Sequence, residues 1–201
     1  MTLTGSLHEK LVFGRRTQAL AGHLEALLPE GAHVLDVGCG DGTIDRLILQ
    51  DRPDLRVEGI DILVRPETHI PVTRYDGETI PFADKSVDVV QFVDVLHHTN
   101  NQEQLLAEAA RVARKAVILK DHLSENSLDF QTLRFMDWVG NRHHGVVLPY
   151  NYWSEARWRE AFARCGLAVE RWTTDVGLYP WPASLFFDRR LHMVTRLRVE
   201  G

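Results

Sequence analysis

Val34-Leu35-Asp36-Val37-Gly38-Cys39-Gly40-Asp41-Gly42 is the stretch of this 201-residue chain that decides its fold. A short apolar run, broken only by Asp36, enters a turn with glycine at alternate positions. The run reads as a buried strand, His33 to Val37, that passes directly into the turn. Glycines there let the backbone bend sharply and approach a ligand closely. A strand ending this way delivers the turn to the carboxyl edge of an open α/β sheet, where such folds bind ligands. The spacing is G-x-G-x-G; a dinucleotide fingerprint is G-x-G-x-x-G, with pyrophosphate on the next helix. Asp36 before the turn and Asp41 within it oppose a pyrophosphate and favour a ligand carrying positive charge. The same features disfavour a nicotinamide dehydrogenase.

Outward from this turn the chain alternates. Leu7, Leu11, Leu20, Leu24, Leu27 and Leu28 recur at three- and four-residue steps, which predicts a helix over 7–28 stopped by Pro29 and Gly31. Thr43 to Gln50 resumes helical spacing. Arg56 to Ile60 is a second strand ending at Asp61, Ile70 to Arg74 a third, and valine-rich Ser86 to Val95 a fourth. Asn101 to Ala113 is a helix, and Ala116 to Leu119 a fifth strand. This order predicts a parallel sheet with helices on both faces. The segment 123–153 breaks the rhythm and reads as a helix and loop laid over the sheet's carboxyl edge. Ser154 caps a helix through Cys165, closed by Gly166. Leu167 to Thr173 and Ser184 to Leu197 pair as a hairpin at the sheet edge. Arg189, Arg190, Arg196 and Arg198 read as charges on a solvated strand edge.

The expected fold is Rossmann-like: a doubly wound, mostly parallel sheet of about seven strands, with an antiparallel edge hairpin and an insertion after the fifth strand. It forms a single domain: N-terminal helix 1–30, binding core 31–122, insertion 123–153 over the acceptor pocket, and last helix with edge strands 154–201. With 23 basic and 28 acidic residues the net charge is −5, which argues against binding nucleic acid through a general basic surface. No apolar run approaches the roughly 18 residues of a membrane span. Met1 to Lys10 lacks a secretory pattern. Two cysteines make no disulfide framework, so a reducing cytoplasm is the expected location. Cys39 reads as a small residue in a tight loop and Cys165 as an ordinary buried one.

Asp61 lies 19 positions after Gly42, at a strand end, where an acid suits two hydrogen bonds to ribose hydroxyls. Asp36, the turn and Asp61 together point to a ribose-bearing, partly cationic ligand. S-adenosylmethionine, with its adenosine, ammonium and sulfonium, fits that description. A purely structural glycine turn explains neither carboxylate.

Four segments, VLDVGCGDG (34–42), EGID (58–61), YDGETIPFADKSVDVV (75–90) and VLHHT (95–99), resemble the class I S-adenosylmethionine-dependent methyltransferases of the type 11 branch. The resemblance covers about 30–122 well and the rest in outline. It implies in-line methyl transfer to a small-molecule acceptor, with S-adenosylhomocysteine as product. It also implies that Asp36, Gly38 and Gly40 lie along the methionine part, Asp61 holds the ribose, Ile62 packs on the adenine, and Asp76 accepts from the adenine amino group near the Gly77 amide. Asp76 also reads as an ordinary turn residue.

Methyl transfer from a sulfonium needs mainly alignment, with a base only where the acceptor's proton is held tightly. His97, His98 and His122 are the candidates for that base or for an orienting donor. If His97 and His98 lie on an extended segment, one of them faces the pocket; the lean is to His98. His122 also reads as a polar loop start. No metal is expected, because His97-His98 and His143-His144 lack the spacing of recognised metal sites. Phe135, Trp138 and Trp153 read as core, while Tyr150 and Tyr152 stay open between core and acceptor wall. A different class of reading is a non-catalytic module that binds the same ligand and regulates or scaffolds a partner. Oligomeric state is not readable from the sequence.

Overall fold

The computed structural model describes the backbone of residues 3–141 and 148–200, with side chains over 14–140 and 148–200. His143 and His144 lie outside the described residues. Seven strands form one sheet in the order β3-β2-β1-β4-β5-β7-β6. They are β1 (His33–Val37), β2 (Arg56–Asp61), β3 (Val72–Arg74), β4 (Val87–Val93), β5 (Ala113–His122), β6 (Leu167–Thr173) and β7 (His192–Val199). The first five are parallel, and β7 pairs antiparallel with both β5 and β6. The helices are α1 (Leu3–Glu25), α2 (Thr43–Asp51), α3 (Gln102–Val112), α4 (Ser127–Asn141), α5 (Glu155–Arg164) and α6 (Ser184–Phe187).

The two-residue period of the strands divides the core. Val34, Val89, Ala116 and Ile118 point to one face, where they meet Ala21 and Leu24 of α1 and Ile48 of α2. Their neighbours Leu35, Val90, Val117 and Leu119 point to the other, against Leu105, Leu106 and Ala109 of α3 and Trp158 and Phe162 of α5. Consecutive residues on a strand must face opposite ways, so a sheet covered on both sides needs apolar residues at nearly every position. That is why Leu35, Val37, Val89, Val90 and the run Ala116 to Leu119 are all apolar and buried. Successive strands spread outward from β1: β2 lies on one side and β4 on the other. The turn after β1 therefore sits at the switch point of the winding, where a crevice opens at the carboxyl edge.

The structure corrects several sequence expectations. The last two strands do pair antiparallel at the sheet edge, but β6 is outermost and β7 lies between it and β5, while the strand expected from Ser184 is shorter. Arg196 is thus no edge charge: it pairs with Glu170 at 2.7 Å and donates to the Leu27 carbonyl. The stretch from Ser184 begins with the short helix α6, and strand starts only at His192. Phe135 and Trp138 of α4 are 55% and 50% exposed and are not core, whereas Trp153 is buried. Ser154 does cap α5, its side chain accepting from the Arg157 amide at 3.3 Å.

Trp158 anchors the α3–α5 face. It is fully buried, and its indole N–H donates to the His122 carbonyl at 3.1 Å, tying α5 to the end of β5. Trp158→Ala is expected to cost about 3–5 kcal/mol from the cavity and the lost bond. Urea unfolding followed by circular dichroism measures this, and a loss under about 1 kcal/mol contradicts the packing described.

Candidate functional site

The turn after β1 is held from the side by β2. The Gly38 amide donates to the Ile60 carbonyl at 2.7 Å, and the Gly40 amide donates to Asp61 Oδ2 at 2.9 Å. Asp61 Oδ1 accepts from the Leu63 amide at 2.8 Å, so one carboxylate fixes both the glycine turn and the loop after β2. Gly38 has φ of +77°, and a Cβ there would lie 2.7 Å from Val95 Cγ2. Backbone conformation and the nearby Val95 both demand glycine.

Two adjoining hollows open around this turn. The larger, about 460 Å³, is lined by Asp61, Ile62, Tyr75, Asp76, Gly77 and His98, among others. The smaller, about 220 Å³, is lined by Arg16, Leu20, Asp36, Ile44 and Val93. Gly38, Gly40 and Asp94 border both. Ile62 is 58% exposed, an apolar side chain presented at the cleft. Asp76 uses Oδ1 to accept from the Glu78 and Thr79 amides, each at 2.8 Å. Its turn-forming role is therefore real, and it also lines the cleft. Gly77 has φ of +84° and its carbonyl accepts from Asn101 at 3.0 Å.

Asp36 is buried below the turn, and its Oδ1 has no hydrogen-bond partner. Burial, and then the neighbouring carboxylate of Asp45, push its pKa up. Asp45 is itself raised to about 6, chiefly by burial. Two buried carboxyl groups therefore lie together below the turn, with Asp45 accepting from Gln91 at 3.4 Å. Burial and Asp36 also push the Cys39 thiol upward, the opposite of what a nucleophilic cysteine needs.

The carboxyl ends of β4 and β5 supply a second group of polar residues. Asp94, at φ +58°, accepts from Arg16 of α1 at 2.7 Å and contacts Lys120 Nζ. Burial opposes its ionisation, but Lys120 and Arg16 hold its pKa well below the usual range. His97 and His98 lie in a 3-10 turn, Leu96–His98, and not on an extended segment, so strand alternation does not govern them. His98 lines the larger hollow. Burial, followed by the nearby His97, lowers its pKa to about 4, so it is neutral at physiological pH. His97 turns inward to Asp121, with Nδ1 2.7 Å from Oδ1, and is buried. His122 is buried too. Tyr152 donates to Asp137 of α4 and stacks near His97, so it belongs to this group.

The structure brings Gly38, Gly40, Asp61, Ile62, Asp76, Gly77 and His98 to one cleft and places Asp36 in the hollow beside it. His97 and His122 lie behind the cleft surface. Sequence reasoning gave no role to Arg16, Tyr75, Asp94 or Asp137. Arg16 and Asp94 are 78 positions apart, and no local pattern links them.

A family model described as a methyltransferase domain matches residues 12–171. The chain is 28% identical over 143 residues to the 2-phytyl-1,4-naphtoquinone methyltransferase of Thermosynechococcus vestitus, an alignment covering 62% of this chain and 64% of that protein. It is 27% identical over 146 residues to the ubiquinone/menaquinone biosynthesis C-methyltransferase UbiE of Cupriavidus taiwanensis, covering 63% and 60%. The chain thus spans somewhat under two thirds of the length of these relatives. Among solved structures, an S-adenosylmethionine-dependent methyltransferase from Mesorhizobium loti superimposes with a TM-score of 0.64 at 19% identity, over 87% of this chain and 95% of that one. A second from Aquifex aeolicus gives 0.58 at 20%, over 86% and 84%. At these identities the structural likeness establishes the fold.

The carboxyl pair sets a pH dependence. Unfolded Asp45 titrates near 3.9, whereas folded Asp45 holds its proton to about 6. Between these values the unfolded chain ionises first, so this group lowers folding stability as pH rises from about 4 to 6. Asp45→Asn removes that loss. In urea titrations the variant is expected to gain stability over the native protein at pH 7.5, by up to roughly 3 kcal/mol, and little at pH 4. An equal difference at both pH values contradicts the assignment.

Proposed function

The chain belongs to the methyltransferase domain family, and from that premise we propose that it transfers a methyl group from S-adenosylmethionine to a small-molecule acceptor. The observation that carries the reading is the cleft at the switch point, in which the glycine turn is flanked by Asp61 on one side and by buried Asp36 on the other. The orphaned Asp36 Oδ1 suits an ammonium group, and the larger hollow suits an adenosine.

S-adenosylmethionine supplies a methyl on a sulfonium whose departure leaves a neutral thioether. The protein's part is to bind and align. In this reading Asp61 takes the ribose hydroxyls with the carboxylate edge left by its two amide partners. Ile62 covers one face of the adenine, and Asp76 and the Gly77 amide address its edge. Asp36 faces the ammonium, while Gly38 and Gly40 let the methionine chain lie against the backbone. Arg16 borders the same hollow and supplies the cation for the methionine carboxylate.

The acceptor approaches from the side of Asp94 and His98, where the two hollows meet. A neutral His98 at the cleft surface accepts a proton or orients an acceptor hydroxyl; the buried His97 and His122 position it from behind. The named relatives act on quinones, and an aromatic alcohol or enol acceptor is consistent with that. Two free cysteines fit a reducing cytoplasm. None of the described helices is long and apolar enough to cross a membrane.

Isothermal titration with S-adenosylmethionine tests the reading. The native protein is expected to bind in the micromolar range, and the absence of heat at high micromolar ligand overturns the proposal. Asp61→Ala is expected to weaken binding about 10–100-fold, the size of a charged hydrogen bond lost. Gly38→Ala is expected to weaken it further, through positive φ and the clash with Val95. Far-ultraviolet circular dichroism of both variants separates lost binding from lost folding.

A further inference from the structure

The ends of β4 and β5 and helix α4 bring metal-ligand side chains to one buried point. His97 Nε2 lies 3.5 Å from Asp137 Oδ2. His122 Nε2 lies 3.5 Å from Asp94 Oδ1 and 3.8 Å from Asp137 Oδ1. These separations are too long for good hydrogen bonds. The two 3.5 Å separations match the edge of a tetrahedron around a small divalent ion, since bonds near 2.0–2.2 Å set adjacent donors about 3.3–3.6 Å apart; the 3.8 Å contact is longer and uses the other Asp137 oxygen. Asp94, His97 and His122 each place a donor atom within 4.8 Å of the others, as do His97, His98 and Asp137.

A second observation points the same way. The His97 ring is 1% exposed, and its Nε2 has no hydrogen-bond partner. Its Nδ1 is engaged by Asp121, which also accepts from the Leu96 and His122 amides at 3.1 and 2.7 Å. A carboxylate behind an imidazole in this way fixes the tautomer and turns the Nε2 lone pair forward, the arrangement typical behind metal-binding histidines.

We propose that His97 Nε2, His122 Nε2 and the carboxylates of Asp137 and Asp94 bind one divalent first-row transition ion, of the zinc type that imidazole and carboxylate donors suit. Asp94, which also serves Arg16 and Lys120, brings its donor atom together with those of His97 and His122, and Asp137, reaching both histidines, completes the site. The ion ties α4, in the insertion after β5, to the edge of the sheet. It sits next to Asp94, which borders both hollows of the cleft. None of its ligands is assigned to S-adenosylmethionine, but His97, His122 and Asp94 are those placed behind His98 on the acceptor side, so the site is tested by metal binding and not by activity.

The experiment strips the purified full chain with a chelator, titrates it with Zn²⁺ and counts bound metal by mass spectrometry. One equivalent is expected, with the melting midpoint raised by about 5–10 °C at a hundredfold excess over Kd. Co²⁺ is expected to give the visible bands of a four-coordinate site. Asp137→Asn should abolish stoichiometric binding, Asp121→Asn should weaken it 10–100-fold, and a double variant with Cys39→Ala and Cys165→Ala should keep it. Circular dichroism confirms that each variant is folded. Less than a tenth of an equivalent on the native protein, or unchanged affinity in Asp137→Asn, overturns the site. S-adenosylmethionine binding measured on the same samples is read independently.

Discussion

Asp61 is the residue on which the rest of the cleft depends. One of its oxygens receives the Gly40 amide from the turn after β1, and the other receives the Leu63 amide from the loop after β2. A single carboxylate therefore sets the distance between two neighbouring loops at the switch point. Charge-assisted hydrogen bonds of this kind are roughly twice as strong as neutral ones and are directional. The Gly38 amide on the Ile60 carbonyl repeats the link one step deeper. The turn cannot relax outward without breaking both. A rigid, backbone-lined crevice follows, in which a side chain at Gly38 would meet Val95. Preorganisation of this kind is what a reaction limited by alignment needs.

Much of this was legible from the sequence because it is local. The run from Val34 to Gly42 carries strand, turn and acid within nine positions. The alternation of strands and helices through His122 follows from periodicities of two and three to four, each set by backbone geometry. Asp61 could be read because it terminates a strand whose neighbour was already placed. What was misread depends on contacts across the chain. The edge hairpin was legible but the order within it was not: the chain passes over one position to form β6 and returns, so β7 lies inside. His97 and His98 were read as an extended segment following the fourth strand, but β4 stops at Val93 and the chain coils into a 3-10 turn. Aromatic residues in α4 were taken as core by type alone, and Phe135 and Trp138 show how weak that inference is for residues lying on a cap.

The buried polar groups at the β4–β5 edge were the least legible of all. Lys120 is fully buried, and no periodicity of β5 distinguishes it from the apolar residues around it. It is tolerated because Asp94 receives it, and Asp94 is also received by Arg16 from α1. Desolvating two cations and one carboxylate is costly, and an apolar replacement of the whole group is often neutral or better for stability. A cluster of this kind at the meeting point of two hollows is therefore explained more readily by what it binds than by what it holds together.

That argument also fixes the place of α1. The helix covers Val34 and Val89 through Ala21 and Leu24, an ordinary packing role. Arg16 adds a charged contact that reaches from the same helix to Asp94. Because Asp94 in turn meets Lys120, the position of α1 is coupled to the end of β5 through one carboxylate. Removing that carboxylate would leave Lys120 buried without its partner and Arg16 unpaired beside the smaller hollow, a loss of about 3–5 kcal/mol for the buried charge. The smaller hollow is thus bordered by an ion pair, while the larger one presents the exposed apolar side chain of Ile62. The asymmetry matches a ligand that is charged at one end and aromatic at the other.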